Sequence, residues 1–275
     1  MNFDYELVGK IGSMALIDKE HKMPNYTLIA RLSKELVPGY IWVSSGATEI
    51  GRLDYIARTG KELLGDGEQN KADYSSQGQA ILMSLYREFI NPNYSVRQVL
   101  VEHQHFNDEE KRNHLKGLLL RAREQNAVPI INYNDAVCNE ENRKLEIKNL
   151  SCKASKKVVE CVDNDETAAQ ISCLVKSLIL LILTSVDGIY SNINDENSLI
   201  KEISGKDADE VILNIEEYKR NCHGTSRAGS NGAGAKLEYI KDAVMMGTRV
   251  IIANAKYSLK EILSGSCNQT IIGVR

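Results

Sequence analysis

Two lysines, a set of glycines and two Asn/Asp clusters are the residues of this chain that could do chemistry. Lys10 stands in Lys10-Ile11-Gly12-Ser13, and Lys236 closes the small-residue run Gly229-Ser230-Asn231-Gly232-Ala233-Gly234-Ala235. Between them come Ser44-Ser45-Gly46-Ala47, Asn132-Tyr133-Asn134-Asp135 and Asp163-Asn164-Asp165. Ammonium groups that neutralise charge and glycines that let backbone N–H groups approach an anion suit the movement of a phosphoryl group between two small molecules. The Asn/Asp clusters could accept an ammonium group, hold Mg²⁺ or orient the two lysines. The first segment lacks the G-x-x-x-x-G-K-[ST] spacing of a P-loop, so that mechanism does not transfer. Gly12 would admit phosphate oxygens, and Lys10 would hold the transferring group. Lys236 is expected in a first helical turn, where the helix dipole disfavours a cation unless an anion binds nearby. Each cluster taken singly is also ordinary turn or cap chemistry. Two clusters flanking one long polar segment favour a binding site.

Those segments must be held by strands and helices, and the apolar pattern supplies both. Tyr40–Val43, Val128–Ile131, Leu178–Leu183 and Val250–Ala253 read as buried strands. Leu28, Ile29, Leu32 and Leu36 fall on one helical face, as do Leu115, Leu118, Leu119 and Ala122. Leu237, Ile240 and Val244 repeat the pattern before Gly247. Alternating strands and helices imply an α/β fold with a mainly parallel sheet and right-handed crossovers. The chemical segments sit where strands end and helices begin, the edge at which open α/β sheets bind ligands. Thr184 to Tyr190 follows the most apolar strand and suggests a turn beneath a nucleotide. Residues 138–160 are polar and lysine-rich and read as a long loop, either a mobile lid, a subunit contact or a plain surface excursion.

Composition removes several function classes. Among 275 residues, 34 Lys+Arg against 37 Asp+Glu give a net charge of −3 with no basic block, so no nucleic-acid partner is expected. Acids at Asp4 and Glu6 oppose a signal peptide, and no apolar run approaches the ~20 residues of a membrane span. The six cysteines contain no C-x-x-C pair, which points to a reduced cytoplasmic setting. His103 and His105 lack a second ligand cluster, so no protein-held metal is expected.

In their order, these segments resemble the amino-acid kinase family, and within it the glutamate 5-kinase branch. The matching motifs stand at Lys10–Ser13, Ser45–Ala47, Ile131–Val137, Asp163–Asp165, Thr184–Tyr190 and Gly229–Lys236, with Arg52 and Gly78-Gln79 at similar helical positions. The resemblance implies a single three-layer α/β/α sandwich with an acceptor-binding part near 1–175 and a nucleotide-binding part near 176–275. The resemblance covers the kinase unit, with no expectation of the small C-terminal RNA-binding-like domain that many relatives carry. It implies ATP-dependent phosphorylation of the L-glutamate γ-carboxylate, a step toward proline, with ATP and Mg²⁺ and as a homodimer or homotetramer. Lys10 and Lys236 would stabilise the transferring group, and Asp163 would hold both lysines. Ser45, Gly46, Asn132, Asp135 and Asn164 would bind the acceptor. Gly12, Thr184, Ser185, Ser230, Asn231, Gly232, Ala233, Gly234, Ala235 and Lys236 would surround ATP. Tyr133 stands where the branch has glutamate, and the 138–160 insert lengthens the spacing from Asp135 to Asp163. Both departures bear on the acceptor, so another amino acid, a nucleoside monophosphate or a phosphate stands as the alternative. A sensor that kept the fold and lost catalysis would need neither the second lysine nor its aspartate.

Overall fold

The computed structural model describes residues 2–153, 158–161, 163–192, 194–221 and 232–275. Its sheet strands are β1 (Tyr5–Ile11), β2 (Tyr40–Ser44), β3 (Ser95–Val101), β4 (Ala127–Tyr133), β5 (Ser177–Thr184), β6 (Glu202–Gly205), β7 (Arg249–Asn254) and β8 (Gln269–Val274). The backbone divides into two compact units, one of Met1–Ile11, Gly39–Val43 and Asp165–Arg275, the other of Gly12–Pro38 and Ser44–Asn164.

In the first unit the strand order is β6-β8-β7-β5-β1-β2. β1 and β7 both run parallel to β5, β6 runs parallel to β8, and β7 with β8 is antiparallel. The expected parallel pairing therefore holds for β1–β5, β5–β7 and β6–β8, whereas β7–β8 and the short pair Ile189–Tyr190 with Leu199–Ile200 are antiparallel. Register sets Lys10 opposite Ile182 and Ile11 opposite Leu183, while Ala253 also meets Leu183, so three strands end at one edge. Val8, Ile11, Leu180, Ile182, Val250 and Ile252 are fully buried, which is what short β-branched and aliphatic runs do when both faces of a sheet are covered. Gly9 is a packing requirement. A Cβ there would lie 2.0 Å from the ring of the fully buried Trp42.

In the second unit β3 and β4 pair in parallel, Ser95 opposite Ala127 through Val101 opposite Tyr133. Three of its helices start at side-chain caps: Asn25 accepts from the Leu28 N–H, Asp66 from the Glu68 and Gln69 N–H groups, and Asp108 from that of Lys111. The helices Ala47–Thr59 and Gly67–Phe89 cross so closely that their backbones touch. A Cβ on Gly51 would sit 1.8 Å from the Tyr74 carbonyl oxygen, and one on Gly78 would sit 1.8 Å from that of Ala47. The crossing sets the start of one helix, after Gly46, against Gly78 and its neighbour Gln79. The 138–160 segment is no simple loop, because Glu140–Lys153 is helical.

The crossing predicts a stability contrast. Gly78→Ala should cost about 1–3 kcal/mol or more in urea unfolding, because the added methyl meets backbone rather than a movable side chain. Gly67→Ala, with nothing within 4 Å of its Cβ position, should be neutral to slightly stabilising.

Candidate active site

β1 carries Lys10 inside the strand, with the residue only 8% exposed. The helix Asn164–Leu174 buries Asp165 in its first turn. Lys10 Nζ lies 2.5 Å from Asp165 Oδ1, and Lys236 Nζ lies 2.6 Å from Oδ2. Burial opposes ionisation of Asp165, but the charges of Lys10 and Lys236 outweigh it and hold the carboxyl below its ordinary 3.8. The carboxylate that bridges the lysines is thus Asp165, and the role expected of Asp163 falls to it. Asp163 precedes the helix, whereas Asp165 shares a buried face with Ala168, Ala169 and Ser172 at i+3, i+4 and i+7.

Lys236 also differs from expectation. The helix Gly232–Tyr239 begins four residues before it, so Lys236 lies in the last turn, where the dipole favours a cation. Gly232, Ala233, Gly234 and Ala235 are helical rather than a loose cradle, and Ser230 and Asn231 lie outside the described residues. Glu238 on the same helix pairs with Lys219 and, at 2.5 Å, with Lys241. Burial opposes the ionisation of Glu238, yet the two lysines bring its pKa to about 2.

The Thr184 hydroxyl closes its own turn, donating to the Val186 carbonyl at 2.7 Å and accepting from the Val186 N–H at 3.0 Å. The Ser185 carbonyl accepts from Asn254 Nδ2 at 3.1 Å, and Asp187 pairs with Lys256 at 2.8 Å. Gly12 begins a single 3₁₀ turn, its carbonyl accepting from the Ala15 N–H at 3.2 Å.

The second unit assembles Ser45, Asn132 and Asn164. The Ser44 hydroxyl bonds Tyr86 at 2.8 Å, and Gly46, at φ 105, turns the chain into the following helix. Asn164 Nδ2 donates to Ser45 Oγ and to Asn132 Oδ1, both at 2.9 Å. Asn132 Nδ2 donates to Gln79 Oε1 at 2.9 Å. Asp135 pairs with Lys71 at 2.9 Å. Sequence reading assigned no role to Gln79 or Lys71, whose partners are distant along the chain.

A sequence profile described as "Amino acid kinase family" matches residues 6–254. The chain belongs to the amino acid kinase family. A curated glutamate 5-kinase of Alkaliphilus metalliredigens is 27% identical over 98% of this chain and 96% of its own length. Another from Clostridium perfringens is 29% identical over 92% of this chain and 86% of its own. The solved structure of carbamate kinase from Giardia lamblia bound to AMP-PNP aligns with TM-score 0.60 at 16% identity, covering 98% of each chain. That likeness places the chain in the family's three-layer α/β/α fold with its mainly parallel sheet.

Within this family member the described part of the 138–160 segment is anchored by several side-chain contacts. His103 Nε2 lies 2.8 Å from Glu146 Oε2. The Asn107 side chain clasps Val159, donating to its carbonyl at 2.7 Å and accepting from its N–H at 2.9 Å. Arg143 donates to the Cys161 carbonyl at 3.1 Å and stands 6.0 Å from the Tyr133 ring centre. Burial, then the Cys138 thiol at 3.3 Å from its hydroxyl, pushes the Tyr133 pKa far up, so it stays neutral. Among the described residues no group of three or more His, Cys, Asp or Glu could hold a metal, and no helix is long and apolar enough to cross a membrane.

Asp165→Asn should destabilise the fold by about 3–5 kcal/mol, because two lysines lose the charge that compensates them. The lowered pKa also fixes a pH signature. Its stabilisation is present above the ordinary 3.8 and fades as pH falls through the lower folded value. Acid unfolding followed by circular dichroism should therefore lose that component in Asp165→Asn.

Proposed function

We propose that the chain transfers the γ-phosphoryl group of ATP to the γ-carboxylate of L-glutamate. The observation that carries this reading is one buried carboxylate held between Lys10 and Lys236. Two positive charges against one negative charge leave a net positive charge fixed where a phosphoryl group would be neutralised, without reorganisation at the moment of transfer. A glutamate side chain, with an ordinary pKa of ~4.3, is already ionised at neutral pH and needs no strong general base. Positioning and charge neutralisation then suffice. Ser45, Asn132 and Asn164 present hydroxyl and amide groups suited to an amino acid. Mg²⁺ is assigned to the ATP phosphates, and no protein cage is assigned to it. The two curated relatives named above support glutamate as the acceptor.

A second reading, another small acceptor, is favoured by the pairing of Asp135 with Lys71 and by the anchored insert beside Tyr133. An acceptor panel decides between them. ADP release should depend on L-glutamate, and release with a different acceptor alone would replace it. Lys10→Ala and Lys236→Ala should each lower kcat by about 10²–10³ while melting remains cooperative. Near-normal kcat in both would remove phosphoryl transfer itself.

A further inference from the structure

We infer that Gln79 is a binding residue for the acceptor, and that one backbone N–H orients Gln79, Asn132 and Asn164 together. The inference rests on the proposed reading in one respect, that the acceptor is an amino acid. The Tyr133 N–H donates to Asn132 Oδ1 at 2.9 Å. A backbone N–H can only donate, so the Asn132 oxygen must face it and Asn132 Nδ2 must point elsewhere. That Nδ2 meets Gln79, which therefore presents Oε1. Asn164 also meets Asn132 Oδ1 and therefore presents Nδ2, which Ser45 Oγ shares. Turning over any one amide would set like atoms against each other.

The chain of amides leaves two atoms over. Among the described residues, Gln79 Nε2, a donor, and Asn164 Oδ1, an acceptor, are buried with no hydrogen-bond partner. Buried polar groups are nearly always paired, so a matched donor and acceptor in one network call for a ligand. An α-amino acid supplies both complements. Its carboxylate accepts from Gln79, and its ammonium donates to Asn164. A wholly anionic acceptor such as phosphate would satisfy Gln79 and leave the Asn164 oxygen unmet. Both atoms are closed to water in this structure, so the ligand reaches them only as neighbouring side chains give way.

Gln79→Glu isolates the donor, because one carboxylate oxygen still accepts from Asn132 while the other replaces Nε2. Calorimetric binding of L-glutamate and of its α-amide, with ATP affinity measured alongside, reads the effect. L-glutamate should bind at least about tenfold more weakly, with ATP unchanged, and the preference for carboxylate over α-amide should shrink or invert. Should Gln79→Glu not fold, Gln79→Met removes the donor without adding charge and should weaken glutamate binding in the same sense. Wild-type affinity for L-glutamate in the folded variant overturns the inference, as does a wild-type protein that binds no standard amino acid. A wild-type protein that binds L-glutamate without phosphorylating it would sink the proposed reaction, and the Gln79 comparison would still decide the inference.

Discussion

A carboxylate shut away from water survives as an anion only where cations hold it, and Asp165 is held by two. The arrangement ties three distant parts of the sequence together. β1 must run its full length so that Lys10 emerges beside the helix that starts at Asn164, and the Gly232–Tyr239 helix must present Lys236 from its last turn. Removing Asp165 leaves two lysines with uncompensated charge in a region of low dielectric, and removing either lysine takes away the surplus positive charge. Stability and chemistry therefore depend on the same contact. The pairing of Glu238 with Lys219 and Lys241 follows a similar logic nearer the surface, bracing the helix that delivers Lys236.

Packing supplies the second constraint. Trp42 occupies the volume that a side chain at position 9 would need, and the helices at Gly51 and Gly78 approach until backbone meets backbone. Such contacts admit almost no adjustment, so the residues next to them inherit fixed positions. Lys10 follows Gly9 directly, and Gln79 follows Gly78. Residues that bear chemistry in this chain stand beside residues that have no side chain at all.

Much of this was legible in the sequence where burial is continuous. The apolar runs within β2, β4, β5 and β7 are unambiguous, because both faces of each strand are covered. β3 was not legible, since its exposed and half-buried Ser95, Arg97 and Gln98 break the apolar run. The Glu140–Lys153 helix was missed for a related reason: its few apolar residues, Leu145, Ile147 and Leu150, do not gather on one face, and periodicity has nothing to register. At the site, residue types announced the lysines and the Asn/Asp clusters, but not which aspartate would bridge. Two aspartates separated by one residue face different directions once a helix begins between them. Gln79 matched the family only as a helical position, and its contact was not legible because its partner Asn132 is 53 residues away.

The Tyr133 N–H has a consequence for what can change in this protein. The side chain at that position lies against Cys138 and Arg143, on business of its own. What reaches Asn132 is the main chain, and nineteen of the twenty residue types bring the same N–H to that place. Position 133 can thus drift between tyrosine, glutamate or anything else the neighbouring insert demands without disturbing the amides beside it. Only proline would silence it. A feature common to nearly every sequence is a durable place to anchor selectivity, and it leaves no trace in a comparison of side chains.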